Sequence, residues 1–246
     1  MPNSSRRDGR HYDQLRAVKI TPHVSEYAEG SALVEFGKTK VLCTASYESK
    51  PPQWLQGSGQ GWVGAEYGML PRATHQRVKR EKSLNGGRTQ EISRLIGRSL
   101  RAAVNLKGLA DKHILIDCDV LLADGGTRTA AITGGFVALA LALKKLHAVG
   151  EIKTIPLLNY VAAISVGWSK GQAFLDLNYE EDSGISTDMN FVMTDSGHFI
   201  EVQGTAEQDP FSRQELLLMM DAAEKGCRQL FQVQSEIIGP IFTLKG

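Results

Sequence analysis

The stretch from His113 to Leu143 limits the folds open to this chain more than any other. Ile114, Ile116, Cys118, Val120 and Leu122 alternate with Asp117 and Asp119, the two-residue period of a strand with one apolar face. The strand runs through Ala123-Asp124-Gly125-Gly126-Thr127-Arg128-Thr129 into Ala130–Leu143, fourteen residues without a charge, stopped by Lys144-Lys145. A bilayer needs about 20 apolar residues, so this run is too short to cross one. It predicts a helix buried inside the protein, ending near His147, with Gly150 and Pro156 punctuating its exit.

Around that centre the chain reads as alternating short elements. Ser31–Phe36 and Lys40–Ser46 flank Gly37-Lys38-Thr39, a hairpin. That Gly-Lys-Thr is not a P-loop, because the first glycine of the motif would fall on Ala32. Pro51 to Gly68, with Gly57, Gly59, Gly61 and Gly64, predicts a mobile loop. Ile92, Leu95, Ile96, Leu100 and Ala103 recur at helical spacing and predict an amphipathic helix over Gln90–Ala103. Two further hairpins follow. Tyr160–Trp168 and Ala173–Asn178 surround Ser169-Lys170-Gly171, and Met189–Thr194 and His198–Gln203 surround Asp195-Ser196-Gly197. Ser212 with Glu215 forms a capping box that opens a last helix, whose stripe Leu216, Met219, Met220, Ala223, Cys227, Leu230 and Phe231 reads as core.

A chain of 246 residues can bury a core without covalent staples, and at roughly 150 residues per domain it makes one large domain or two small ones. Cys43, Cys118 and Cys227 are odd in number and far apart, which excludes a disulfide scaffold and a CxxC site. The histidines show no HxxxH or HExxH spacing. No apolar signal region is visible in MPNSSRRDGR, so the cytoplasm is the expected compartment and no membrane is expected as a partner.

Net charge is only +1, but it is unevenly spread. Residues 72–107 hold ten basic side chains against Glu81 and Glu91, while residues 176–224 hold twelve acids against Arg213 alone. The split suggests a surface for a polyanion beside an acidic catalytic or metal-binding region. Arg94, Arg98 and Arg101 fall opposite the apolar face of their helix. A solvated face accounts for them as well as a binding role does. Arg88 differs, because it follows Gly86-Gly87 just before the helix, where a side chain and free N–H groups can converge on an anion.

Three segments can carry chemistry. At Asp124–Thr129, Gly125 and Gly126 let the backbone approach a ligand, the following helix offers unpaired N–H groups, Thr127 a hydroxyl and Arg128 a planar fork. Together they suit a small oxyanion. The alternative is a tight turn whose arginine makes a structural salt bridge. At Glu180–Asn190, Asp182 in a loop and Asp188 at the mouth of a strand can hold Mg²⁺, or divide roles so that one is protonated and acts as an acid. Glu180 and Glu181 read as ordinary turn acids, and the EF-hand pattern is absent. Met69–Arg80, with Arg72, Arg77 and Arg80, is a basic loop whose natural partner is a phosphodiester backbone.

Gly87–Ala102, Ala123–Ala130 and Tyr179–Ser183 through Asp188-Met189-Asn190 all resemble the ribonuclease PH family. So do Arg7-Asp8-Gly9-Arg10, Trp62–Arg72 and Glu201-Val202-Gln203-Gly204-Thr205-Ala206-Glu207. The resemblance covers essentially the whole chain in order. Its length matches the stand-alone enzyme and not polynucleotide phosphorylase, which carries two such domains. Gly64 and Gly135 stand where a larger side chain is expected, and Lys82–Gly86 departs from the usual loop.

The resemblance implies a single α/β (α+β) domain over 1–246, two-layered, with mixed sheets and packed helices, of the kind shared with GHMP kinases. It implies a homohexameric ring, a trimer of dimers. It implies phosphorolytic removal of nucleotides from RNA 3′ ends, chiefly in precursors of tRNA and also in rRNA, reversible so that nucleoside diphosphates can be added back. Inorganic phosphate would be held by Arg88, Gly126, Thr127 and Arg128. Asp182 and Asp188 would be the catalytic acids and the holders of Mg²⁺, with the division between them open. Arg72, Arg77 and Arg80 would contact RNA. Two rival functions are a non-catalytic RNA-binding ring subunit and a hydrolytic metal-dependent nuclease.

Overall fold

The computed structural model describes residues 6–80 and 86–239. Lys82–Asn85, part of the departure noted above, lies outside them. Nine strands and four α-helices are found among the described residues. β1 (Val18–Pro22), β2 (Gly30–Phe36), β3 (Thr39–Glu48), β5 (His113–Leu122) and β4 (Trp62–Met69) form one sheet in that spatial order. Its pairings are antiparallel except β4–β5, which is parallel, so this sheet is mixed. β7 (Gln172–Leu175), β6 (Val161–Ser169), β8 (Thr187–Thr194) and β9 (Phe199–Ala206) form a second, wholly antiparallel sheet. The helices are α1 (Gly87–Ala102), α2 (Thr127–Ala148), the single turn α3 (Tyr179–Asp182) and α4 (Arg213–Ile238).

The alternation in β5 works as a strand with one covered face demands. Ile114, Ile116, Cys118 and Val120 are buried, and Asp117 and Asp119 point away. Ala32, Val34 and Phe36 of β2 and Val41, Cys43 and Ala45 of β3 complete the same apolar face. α2 lies between the two sheets, packing on β2, β3 and β6. That position explains why it is apolar all round. At 22 residues it is longer than the uncharged run alone, and long and apolar enough to cross a membrane by those criteria, yet 89% of its most apolar window is buried inside the protein. α4 begins at the Ser212–Glu215 capping box and lays Met219, Ala223, Cys227 and Leu230 against β6 and β7. The three cysteines are buried and free.

Four expectations need correction. The glycine-rich stretch 51–68 is not all loop, because Trp62–Met69 is a strand. Its residues pair in register with β5, Trp62 beside His113 and Met69 beside Val120, and Val63 and Tyr67 are buried. Parallel pairing to a distant strand leaves no local signature, so the glycines dominated the reading. α1 starts at Gly87, which places Arg88 inside its first turn and not before it. β7 stops at Leu175 because Asp176 takes φ 56°, outside the extended region. Asp182 ends a helical turn and is not in a loop. The departures at Gly64 and Gly135 have a local cause. A Cβ there would fall 2.9 Å from His113 Nε2 and 3.3 Å from Ile116 Cγ2, respectively.

Candidate active site

The end of β5 turns into α2 through Gly125 at φ 79° and Gly126 at φ 65°, the left-handed region that glycine enters without strain. Gly126 is the N-cap of α2 and brings no capping side chain. No side chain therefore caps the first N–H groups of this 22-residue helix, at the positive end of its dipole. Neighbours hold the turn rigid. Thr39, from the excluded Gly-Lys-Thr, accepts from Asp124 N at 2.9 Å and donates to Gly125 O at 2.7 Å. The hydroxyls of Thr127 and buried Tyr67 meet at 2.8 Å.

Two arginines flank the turn. Arg128 donates from Nη1 to Gln203 Oε1 of β9 at 2.5 Å and lies 3.6 Å from Glu91 of α1. Arg88 is exposed in the first turn of α1. Both are close enough to act on the Tyr67 phenol, lowering its pKa against the dominant rise caused by burial.

The acidic segment is bolted to the same turn. Asn178 caps α3 by accepting from Glu181 N at 2.9 Å, and Glu181 accepts from Asn178 N at 3.0 Å. Glu181 is also paired with Arg6 and Arg10. The fully buried Asp176 carboxylate takes Arg16 in a fork, with Nε to Oδ2 at 2.9 Å and Nη2 to Oδ1 at 2.7 Å. Arg16 Nη1 then reaches Asp124 O at 2.7 Å. One buried arginine thus ties the glycine turn to the base of the acidic segment.

These braces bring the separate sequence candidates together. The Asp182 side chain reaches the surface, but the protein around it removes enough water to raise its pKa. The Asp188 carboxylate raises it further, and Arg88, Arg128 and Arg16 pull it down. Asp182, Asp188, Arg88 and Arg128, which come from four different elements, therefore share one electrostatic site. Asp188 is the second residue of β8, as expected for the mouth of a strand.

Arg72, Arg77 and Arg80 are exposed on the segment after β4. That segment is pinned beside the site, because Ala123 N donates to Ala73 O at 2.8 Å one residue before Asp124. The arginine stripe of α1 is partly spent inside the molecule. Arg98 donates to Glu201 at 2.8 Å, and Arg101 donates to Val63 O at 2.9 Å and stacks 4.2 Å from the Trp62 ring. Arg94 is exposed.

Sequence reasoning missed Arg16, Asp176, Tyr67, Glu91 and Gln203. Arg16 and Asp176 are 160 positions apart, and nothing local marks them as partners. Tyr67 lay in the stretch read as loop. Gln203 stood inside a recognised motif with no role given to it.

Family models described as "3′ exoribonuclease family, domain 1" and "3′ exoribonuclease family, domain 2" match residues 14–145 and 159–226. Ribonuclease PH of Bdellovibrio bacteriovorus is 72% identical over 241 residues, covering 98% of this chain and 99% of that one. The crystal structure of rice (Oryza sativa) Rrp46 superposes with a TM-score of 0.78 at 19% identity, covering 95% of this chain and all of that one. An Archaeoglobus fulgidus exosome structure, with RNA bound to the active site, gives 0.80 at 21% identity, covering 94% and 92%. The two solved structures share the fold.

Proposed function

The chain belongs to the 3′ exoribonuclease family, and from that premise we propose that its glycine turn captures inorganic phosphate and aims it at the last linkage of an RNA strand. The protein is a phosphate-dependent 3′–5′ exoribonuclease, and so a nucleotidyltransferase. The observation that carries the site assignment is the packing of the Gly125–Gly126 turn against Asn178, the cap of the turn that ends in Asp182, with Arg88, Arg128 and Asp188 near enough to act on the Asp182 carboxyl.

In this reading phosphate sits on the N–H groups of the Gly126–Thr127 turn, with the Thr127 hydroxyl and the guanidinium groups of Arg88 and Arg128. A phosphate oxygen attacks the terminal phosphorus in line. The bond from phosphorus to the penultimate 3′ oxygen breaks, and the terminal nucleotide leaves as a nucleoside diphosphate. The two arginines offset the repulsion between two anions and hold the charge of the transition state. Asp182 hands its proton to the leaving 3′ oxygen, a role favoured by the lost hydration around it and by Asp188, which both raise its pKa. One phosphoester linkage is exchanged for a pyrophosphate-type linkage, so the reaction runs in both directions.

The residues present also fit Mg²⁺. No group of three or more His, Cys, Asp or Glu is assembled among the described residues, but Mg²⁺ commonly binds through one or two carboxylates plus substrate phosphates. Asp188, with Asp182 when ionised, would hold it. When bound it would neutralise charge on phosphoryl oxygens. The same sparse carboxylates count against a two-metal hydrolase, and the complete set of arginines and acids counts against a non-catalytic subunit.

We further propose that the substrates include tRNA precursors and rRNA in the cytoplasm, and that the protein works as a homohexameric ring, a trimer of dimers. A ring repeats the basic loop of Arg72, Arg77 and Arg80 and so multiplies its grip on a folded RNA. The test is RNA shortening by the purified protein with and without phosphate, with products identified. Nucleoside diphosphates that appear only with phosphate are expected. Monophosphates, or shortening indifferent to phosphate, would overturn the reading.

A further inference from the structure

The motif Glu201–Glu207 has no part in the reaction above, yet β9 grips one arginine of the site and one of the neighbouring helix α1. Glu201 and Gln203, two residues apart on one strand face, take Arg98 of α1 and Arg128 of α2. At Gln203 the contact is a relay. Glu91 Oε1 accepts from Gln203 Nε2 at 2.8 Å, and Gln203 Oε1 accepts from Arg128 Nη1. An ionised carboxylate can only accept, so Glu91 fixes which end of the amide faces Arg128.

We propose that Gln203 is a positioning residue for phosphate capture. It orients the Arg128 fork through a neutral oxygen, while Glu91 anchors the other end of the amide and is also the ion-pair partner of Arg128. Glu91 Oε1 lies 3.6 Å from Arg128 Nη1, an ion pair without a hydrogen bond. The amide oxygen is thus the group that directs the fork by a hydrogen bond, and it adds no second negative charge to the arginine that phosphate must engage. The inference rests on the 126–128 turn being the phosphate site.

The test is steady-state phosphorolysis of a single-stranded RNA oligonucleotide by the full-length protein, varying phosphate and RNA separately. Wild type is first run with and without phosphate. Indifference there sinks the phosphorolysis reading, and this inference with it, whatever the variants do. Given phosphate dependence, Gln203→Ala should raise the phosphate KM about tenfold, the size of a missing hydrogen bond to a charged group. Its RNA KM and melting temperature should stay near wild type, and any fall in kcat should be smaller than that of Arg128→Ala. Gln203→Glu should raise the phosphate KM further, by pairing Arg128 as an ion, and it should lower the melting temperature by facing Glu91. Adding Glu91→Gln to Gln203→Glu should restore the melting temperature and leave the phosphate KM high. A Gln203→Ala protein with the wild-type phosphate KM would overturn the proposal. So would phosphate and RNA KM values that rise together in step with falling thermal stability.

Discussion

Gly125 lies so close to Asn178 that a Cβ at position 125 would fall 2.6 Å from the Asn178 carbonyl carbon. The glycine turn that ends β5 and the capped turn that presents Asp182 are therefore in backbone contact. The proposed phosphate turn and the proposed proton donor, Asp182, are held together by packing, not by either loop alone.

Gly125→Ala should break that contact. Alanine at φ 79° is strained in itself, and its methyl would drive the two segments apart. We expect a loss on the order of 2–3 kcal/mol in urea unfolding and roughly a hundredfold drop in rate from misplacement. Wild-type stability together with wild-type rate would show that the contact does not set the site.

Arg128→Ala should cost on the order of 2–4 kcal/mol of transition-state stabilisation, read as kcat/KM for phosphate. Its protein partners are Gln203 and, more distantly, Glu91, so the melting temperature should barely move. A kcat/KM for phosphate equal to that of wild type would remove Arg128 from the site.

Asp182 should titrate above an ordinary aspartate, because burial and Asp188 both favour its protonated form. A proton donor works below its own pKa, so the rate should fall as pH rises through that raised value. The carboxyl carbon, followed by NMR, reports the midpoint directly. Asp188→Asn should move it down, and Arg128→Ala should move it up. The same sign applies to folding. Stability contributed by the protonated group is full below the unfolded-state pKa and is lost as pH rises through the folded one. A midpoint in Asp188→Asn equal to that of wild type would separate the two carboxylates.

Local pattern was enough to read β5, the buried character of α2, the three hairpins and the capping box at Ser212, because period and turn chemistry act over a few residues. It also marked Gly126, Thr127 and Arg128 as a candidate oxyanion turn, where glycine, hydroxyl and fork are consecutive. It failed where the determinant is a distant partner. β4 exists because β5 is there to pair with it, and its own glycines say otherwise. Arg6, Arg10 and Arg16 are all buried against Glu181 and Asp176. Nothing in the residues flanking Arg16 announces a carboxylate 160 positions away.

The Arg16–Asp176 pair should be among the most costly to break. Asp176 is fully buried and takes both Nε and Nη2 of Arg16. Removing one member leaves the other charge without its main partner in low dielectric, a loss of about 3–5 kcal/mol. Arg16→Met and Asp176→Leu should each show this in denaturant unfolding. The double variant should lose less than the sum, since both charges are gone. Additive losses would mean that the two act independently.

The basic segment should behave differently from everything above. Arg72, Arg77 and Arg80 are exposed and stand beside the turn through the Ala123–Ala73 hydrogen bond. When such side chains bind phosphodiesters they release counterions, so their energy appears in the salt dependence of binding. Replacing all three with Ala should weaken binding of single-stranded RNA and flatten the plot of log affinity against log salt by about 0.7 for each phosphate no longer neutralised. The weakening should be similar for RNAs of different sequence, because the phosphodiester backbone carries no base information. The phosphate KM should remain that of wild type, since Arg88 and Arg128 are untouched. An unchanged salt slope in the triple variant would mean that RNA enters by another route. A raised phosphate KM would mean that the segment belongs to the phosphate site and not to the RNA path.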